Sequence, residues 1–275
     1  MTYREVFDNK SIAVSTSESP DMAGLGLHKE HLRDAMAEIA RHLLALGAKL
    51  VYGGDLRAEG FSNLLFELAA RYRRDTTNRS TVAVTNYLAW PVHILQQPEQ
   101  IDQAVADLQG TAELRLLDID GKNLGLEERH KLPTHQPSEP EWAKGLSAMR
   151  HTMLAETDAR IILGGRVDKF KGDMPGIAEE ALYSLQGKQP LYVMGGFGGC
   201  ARDVAEAIGV LDYQTARAWP GLEKFAAFNS DQLNNGLSKE ENRILASTPH
   251  VDQAIVLILR GLTRVQRRVQ GGMIA

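Results

Sequence analysis

Three pairs of adjacent glycines follow predicted β-strands, and this pattern is typical of turns that bind phosphate. The pairs are Gly53-Gly54, Gly164-Gly165 and Gly195-Gly196. Glycine adopts positive φ and lets a ligand approach the backbone. The first turn of a following helix adds free N–H groups and a partial positive charge. Ordinary turn chemistry accounts for any single pair, but three pairs at one sheet edge favour a site for a nucleotide-like ligand.

Polar, charged and aromatic residues beside these turns are candidates for ligand contacts. Ser15 and Ser17 lie at the end of the first predicted strand, and Asp55 and Arg166 each directly follow a glycine pair. Hydroxyls and carboxylates suit a ribose, and a guanidinium pairs with phosphate. Phe197 lies between glycines and suits stacking on a base. The alternatives are a cap or a solvated loop for the polar residues and core packing for Phe197.

The elements that must position these residues alternate between strand and helix about six times. The predicted strands cover residues 11–15, 49–52, 81–85, 113–118, 159–163 and 190–194. Such alternation predicts an α/β protein with a doubly wound, Rossmann-like, mostly parallel sheet and helices on both faces. Ligands of such sheets bind outside the carboxyl ends of the strands, where the glycine pairs are expected. Residues 119–142, rich in Pro and Gly, are predicted to form a long irregular loop.

The chain is expected to contain a nucleotide-binding domain over residues 1–215 and a helical C-terminal extension over residues 216–275. Ser238-Lys-Glu-Glu241 is a capping box that begins a helix. Apolar residues then recur at helical spacing from Val251 to Val265. This extension is expected to pack on the first domain or across an oligomer interface.

Composition restricts the partners and the compartment. The formal net charge is −4 and the pI is about 6.1, so attraction to nucleic acid or to an anionic membrane is not expected. The longest apolar run, Ala254 to Leu259, is too short to span a bilayer. A single cysteine, Cys200, and the lack of a signal-peptide pattern favour a cytoplasmic protein. No His or Cys cluster has zinc spacing, so no metal is expected.

Several common nucleotide and hydrolase motifs are missing. The sequence has neither the Gly-x-x-x-x-Gly-Lys-Ser/Thr motif of P-loop proteins nor the Gly-x-Ser-x-Gly nucleophile elbow. Residues 196–201 match Gly-x-Gly-x-x-Ala in form, but they follow the sixth predicted strand and lack a well-placed acidic strand end. A classical NAD(P) oxidoreductase is therefore not expected.

Motifs in the middle of the chain resemble those of the LOG family of phosphoribohydrolases, formerly called lysine decarboxylase-like. They are Met149-Arg-His-Thr-Met153, the strand ending at Gly164-Gly165, and Pro175-Gly-Ile-Ala-Glu-Glu180. The wider SLOG superfamily, which includes DprA and the sensor domain of TRPM channels, is Rossmann-like and implicated in nucleotide binding. The resemblance implies a ligand contact for Gly176. It also implies that Glu180 binds ribose or acts as acid or base, with Arg150 as the catalytic cation.

Departures from the LOG pattern point to another SLOG branch. Ten residues, 166–175, separate Gly165 from Gly176, Ile177 replaces a threonine, and Met149 stands where the catalytic arginine would be. The resemblance then implies a sensor for a nucleotide or NAD derivative such as ADP-ribose, linked to prokaryotic immunity signalling. The alternative is an enzyme that cleaves an N-glycosidic bond: a phosphoribohydrolase, a nucleosidase or an NAD glycohydrolase. No cofactor is required, AMP or ADP-ribose is the expected ligand, and a homodimer or higher homo-oligomer is expected by analogy.

Overall fold

The computed structural model describes residues 5–57, 59–75, 82–213 and 217–272. Its strands are β1 (Ser11–Ser17), β2 (Lys49–Gly53), β3 (Val84–Leu88), β4 (Ala112–Leu117), β5 (Asn123–Leu124), β6 (Ala159–Gly164) and β7 (Leu191–Met194). They form a seven-stranded sheet in the order β5-β4-β3-β2-β1-β6-β7. The pairs β1–β2, β2–β3, β3–β4 and β6–β7 are parallel, and β4–β5 is antiparallel. The predicted α/β class with a mostly parallel sheet is confirmed.

Helices connect and cover the strands. They are α1 (Lys29–Ala45), α2 (Phe61–Asp75), α3 (Trp90–His93), α4 (Pro98–Asp107), α5 (Leu126–His130), α6 (Glu139–Ala155), α7 (Gly176–Gln186), α8 (Gly199–Ala207), α9 (Lys239–Ser247) and α10 (Val251–Gly272). The last two confirm the predicted helical C-terminal segment. Within the described ranges, no helix combines the length and the apolar composition that a membrane crossing needs.

The expectation of an irregular segment over residues 119–142 was wrong, because this segment contains β5, α5 and the start of α6. Local hydrogen bonds order it. The Asp118 carboxylate accepts the N–H groups of Asp120 and Lys122 and holds the turn before β5. The Ser138 side chain accepts the Glu141 N–H in a capping box that begins α6.

The third strand was predicted at residues 81–85 but lies at Val84–Leu88; residue 81 is outside the described residues. Between β2 and β4 this strand is buried along its whole length. Its polar residues are therefore satisfied by partners rather than by water. Asn86 accepts a hydrogen bond from the Ser62 hydroxyl, and the Thr85 hydroxyl donates to Glu113. Val84 and Thr85 of the predicted run begin the strand, and Val82 and Ala83 precede it.

The chain folds as two compact units. The first comprises Met1–Ala13, Ala40–Thr157 and Lys171–Asp173, and the second comprises Val14–Ile39, Asp158–Phe170 and Met174–Ala275. The first has a core that includes Val51, Tyr87 and Met153. The second has a core of α7, α8, β6 and β7 side chains. The predicted domain boundary after residue 215 stays a prediction.

Strand order reverses between β1 and β6, because the chain builds outward from β1 to β5 on one side and then adds β6 and β7 on the other. In open α/β sheets, the crevice at such a reversal is the usual ligand site. Most of β1 and all of β6 belong to the second unit. The site described next therefore lies within that unit.

Candidate functional site

The carboxyl ends of β1 and β6 are joined by backbone hydrogen bonds. The Gly165 N–H donates to the Ser17 carbonyl at 2.8 Å, and the Arg166 N–H donates to Ser17 Oγ at 3.2 Å. Gly164 and Gly165 have φ of +64° and +109°. A Cβ on Gly164 would lie 2.5 Å from the Ser17 carbonyl oxygen, and one on Gly165 would collide with Cys200 Sγ. Glycine is therefore required at this pair by close packing of the protein itself.

Arg166 provides an exposed cation at this end of β6. In the described part of the chain, no ion pair joins its guanidinium to a carboxylate. Lys169, in the segment 166–175 between Gly165 and Gly176, is also exposed. Lys171 belongs to the first unit, where its ammonium lies 5.2 Å from the centre of the Trp142 ring. Arg166 is thus the cation best placed to meet an anionic ligand at the strand reversal.

Glu180 is buried and forms an ion pair with Arg160. Its carboxylate also accepts a hydrogen bond from the Ser15 hydroxyl, and the Arg160 guanidinium donates to Ser15 Oγ at 2.8 Å. Exposed fractions are 0% for Arg160, 4% for Ser15 and 8% for Glu180. The carboxylate balances a buried positive charge, as buried charges require. An acid or base catalyst must instead be within reach of its substrate.

Arg160 is not among the site residues predicted from the sequence. The available signal was a lone charged residue within the otherwise apolar strand segment 159–163. A strand buried on both faces tolerates a cation only when a carboxylate balances it. The first turns of α7 supply that carboxylate.

Helix α7 begins at Gly176, and the preceding Pro175 has no side chain that caps it. The Ala178 N–H donates to the Cys200 thiol, so the leading N–H groups that could donate to an anion are those of Gly176 and Ile177. Ile177, which replaces the threonine of the LOG motif, is buried. Its Cδ1 would lie 3.4 Å from a Cβ placed on Gly165. This position thus contributes to the apolar core and has no hydroxyl to offer a ligand.

The turn between β7 and α8 is packed against α9 and the residue that follows it. A Cβ on Gly195 would lie 2.7 Å from the Ala246 carbonyl oxygen, and one on Gly196 would collide with the carbonyl of Thr248. The Phe197 side chain is fully buried, which is the core position given above as the alternative to base stacking. Ligand contacts by Gly195, Gly196 and Phe197 stay predictions.

Asp21 lies at the N-terminus of α8 and is likewise not among the predicted site residues. Its carboxylate accepts the Gly199 N–H, with distances of 3.0 Å and 3.2 Å to its two oxygens. Arg217 forms ion pairs with Asp21 at 2.9 Å and with Asp203 at 2.7 Å. Burial raises the pKa of the Asp21 carboxyl, but hydrogen bonds from Ser19, Arg217 and Gly199 outweigh burial and lower it below 3.8.

The described residues contain neither a reactive thiol nor a candidate metal centre. Burial raises the pKa of the Cys200 thiol to about 12, with the nearby Asp203 charge adding to the effect. This thiol is therefore protonated at neutral pH and unreactive. In the ranges that the structure describes, no group of three or more His, Cys, Asp or Glu side chains could hold a metal ion.

The remaining predicted residues belong to the first unit. A Cβ on Gly53 would lie 2.8 Å from Met149 Cε, and one on Gly54 would collide with the Tyr52 ring. The Asp55 carboxylate pairs with Arg57 at 2.7 Å. Arg150 is only 6% exposed. Participation of Gly53, Gly54, Asp55 and Arg150 in ligand binding stays a prediction.

A groove of about 820 Å³ also lies in the first unit, between α4 and α5. None of the predicted site residues lines it. Its lining consists of Asp102, Val105, Ala106, Gln109, Leu126, Glu127, His130 and Lys131.

Comparison with known proteins gives one clear finding. The family model described as SLOG cluster2 matches residues 6–245, which is most of the chain and includes both units' strands. No curated protein matches the chain. The predicted SLOG relationship is confirmed.

Proposed function

The chain belongs to the SLOG cluster2 family, and on that premise we propose that it is a sensor that binds a nucleotide or an NAD derivative such as ADP-ribose. One contrast at the strand reversal supports binding over turnover. Glu180 is buried in an ion pair with Arg160, whereas Arg166 is exposed and has no carboxylate partner among the described residues. This arrangement suits recognition of an anion, and the motif carboxylate Glu180 is not accessible beside it.

The polar groups near the carboxyl ends of β1 and β6 suit a phosphorylated ligand. Arg166 provides a guanidinium, which binds phosphate oxygens in a bidentate manner. The start of α7 provides the N–H groups of Gly176 and Ile177 and a partial positive charge. The half-buried Ser17 hydroxyl, whose oxygen accepts the Arg166 N–H, can still donate its proton to a ribose or phosphate oxygen.

The alternative function is hydrolysis of an N-glycosidic bond by a phosphoribohydrolase, a nucleosidase or an NAD glycohydrolase. It requires Glu180 to contact the substrate, with Arg150 or Arg166 beside the breaking bond. Moving Glu180 to the surface would break its buried ion pair with Arg160, at a cost of about 3–5 kcal/mol. We therefore favour binding without turnover and treat hydrolysis as an outcome of the following test.

Binding and turnover can be separated by incubating the protein with AMP, NAD and ADP-ribose. Thermal unfolding and release of free base are followed together. The proposal predicts that at least one ligand raises the Tm and is recovered intact. A ligand at about 100 times its Kd would stabilise the fold by about 2.7 kcal/mol. Base release that Glu180→Gln abolishes and the neighbouring Glu179→Gln retains would overturn the sensor proposal. No shift with any of the three would contradict a nucleotide function altogether.

A signalling role in prokaryotic immunity and assembly into a homodimer or higher homo-oligomer are also part of this proposal. Both follow from the SLOG resemblance alone. Sedimentation velocity with and without ADP-ribose would test the assembly, and a single monomeric species in both conditions would contradict it.

A further inference from the structure

The groove between α4 and α5 exposes apolar surface. Val105, Ala106 and Leu126 are among the residues that line it. Val105 is half-buried, and Ala106 and Leu126 are exposed. Apolar surface bordered by polar residues is typical of an interaction site, and a groove of about 820 Å³ between two helices suits the docking of a further helix.

The short helix α5, which forms one wall of the groove, is held in place by the buried side chain of Arg129. The exposed fraction of this residue is 0%. Its guanidinium donates to the carbonyl oxygens of His93 at 3.1 Å, Gln96 at 2.6 Å and Leu132 at 3.0 Å. A wall that is fixed in this way loses little conformational freedom when a partner binds, and this favours association.

The two helices that form the groove carry an excess of negative charge. Their exposed or half-buried carboxylates are Glu99, Asp102, Asp107, Glu127 and Glu128. The lining contains one ammonium group, that of Lys131, and His130 bonds to Asp102 at 2.8 Å. Glu127 forms no ion pair within the described ranges. The groove therefore suits a partner that combines apolar and basic side chains.

The outer face of α10 has that combination. This helix buries Ala254, Ile258 and other apolar residues on its inner face. Its outer face contains Val256, Thr263 and Arg267, because positions seven and eleven residues apart lie on the same side of a helix. Val256 is 55% exposed and Arg267 is also exposed. Among the residues that the structure describes, Arg267 has no carboxylate partner.

We propose that the outer face of α10 binds in the groove between α4 and α5 of a second copy of this chain. The contact withdraws Leu126 and Val256 from water and brings Arg267 of one copy beside Glu127 of the other. The lengths agree, since α10 spans about 17 Å from Val256 to Arg267 and α4 spans about 15 Å. This inference rests on the homo-oligomer of the proposed function and assigns the surfaces that form it.

The two surfaces differ from each other, so one contact leaves a free groove on one copy and a free α10 on the other. A reciprocal second contact closes the assembly as a dimer, and contacts with further copies give a larger oligomer. The opposite charges of the two surfaces favour the contact between groove and helix over the contact of either surface with its own kind.

The first test removes the apolar part of the contact. Sedimentation velocity over a range of protein concentrations measures the Kd of self-association. Leu126→Glu and Val256→Glu should each weaken it at least about tenfold, because each places a carboxylate in an apolar contact. Leu25→Glu is the matched control, since Leu25 is 44% exposed and lies on neither surface. This control should associate as the wild type does.

The second test exchanges the charges. Glu127→Arg and Arg267→Glu should each associate at least about tenfold more weakly than the wild type, because each places like charges opposite one another. An equimolar mixture of the two variants should recover association, because every contact between unlike copies again pairs opposite charges. Glu18→Arg and Arg243→Glu, at exposed positions elsewhere, are the matched controls.

The outcomes separate this inference from the proposed function. A wild-type oligomer that the groove and α10 variants leave unchanged would overturn the contact and leave the assembly standing. Weakened single variants whose mixture stays dissociated would likewise contradict the contact between copies. A wild type that is monomeric at every concentration would overturn both the contact and the assembly, whereas nucleotide binding is measured independently. Thermal unfolding of each variant should match the wild type, because the substituted side chains are exposed.

Discussion

The second unit has two glycine turns that both pack closely against another part of the protein, but the charges beside them are opposite. After β6, the turn at Gly164-Gly165 packs against the end of β1 and leads to the exposed Arg166. After β7, the turn at Gly195-Gly196 packs against α9 and leads to a helix start occupied by Asp21. The first turn leads to a cation that has no carboxylate partner among residues 5–57, 59–75, 82–213 and 217–272, and the second leads to a helix start that holds an anion.

This difference shows that a glycine pair after a strand is evidence for close backbone approach and not, by itself, for a ligand. In both turns, the space that a Cβ would fill belongs to another part of the protein. What distinguishes the turns is the charge beside them. The proposed ligand binding therefore depends on Arg166.

The largest expected effect is on stability. It distinguishes the buried carboxylate of Glu180, near the first turn, from the half-buried carboxylate of Asp21, at the second. Glu180→Ala should lower the free energy of unfolding by about 3–5 kcal/mol, because it removes one partner of a buried ion pair. Asp21→Ala should cost about 1 kcal/mol, since its carboxylate is partly solvated. Urea denaturation measures both. Equal costs would show that the Glu180 pair is no more demanding than the Asp21 pair.

Most of the fold could be predicted from the sequence, whereas the charge partners at the candidate site could not, and the reason is physical. Apolar and β-branched segments located most strands, three of which lead into a glycine pair, because those signals are local. Asp21 and Gly199 are separated by 178 positions, and Ser15 and Glu180 by 165. Charge partners this distant leave no periodicity. The burial of Phe197 likewise depends on packing that no local pattern encodes.

A second prediction tests whether the glycine requirement comes from packing. Gly164→Ala should cost about 3 kcal/mol, because its left-handed φ is strained and its Cβ would meet the Ser17 carbonyl. Gly209 is the matched control, since its φ is +69° but nothing lies within 4 Å of a Cβ there. Gly209→Ala should therefore cost only about 1–2 kcal/mol. Thermal or urea unfolding of both variants checks the difference, which would vanish if strain alone required the glycines.

The third prediction concerns pH and the occupied turn. Because the pKa of the Asp21 carboxyl is lowered below 3.8, the carboxylate keeps its charge, and its stabilising contacts, above that pH. Those contacts are lost as pH falls through the lowered pKa. The difference in free energy of unfolding between the wild type and Asp21→Asn should thus be constant from pH 7 to about pH 5. It should shrink only near or below pH 4. A difference that already falls between pH 7 and 6 would assign the effect to another group.

The smallest expected effect on stability carries the largest consequence for binding. Arg166→Ala should change the free energy of unfolding by less than about 0.5 kcal/mol, because the side chain is exposed. Arg243, an exposed arginine of α9, is the control with the same charge change. Calorimetric titration of ADP-ribose into the wild type, Arg166→Ala and Arg243→Ala tests the central claim most directly. The account predicts at least about tenfold weaker binding for Arg166→Ala, as the loss of a guanidinium–phosphate contact implies, and unchanged binding for Arg243→Ala. Equal affinity in all three proteins would contradict it.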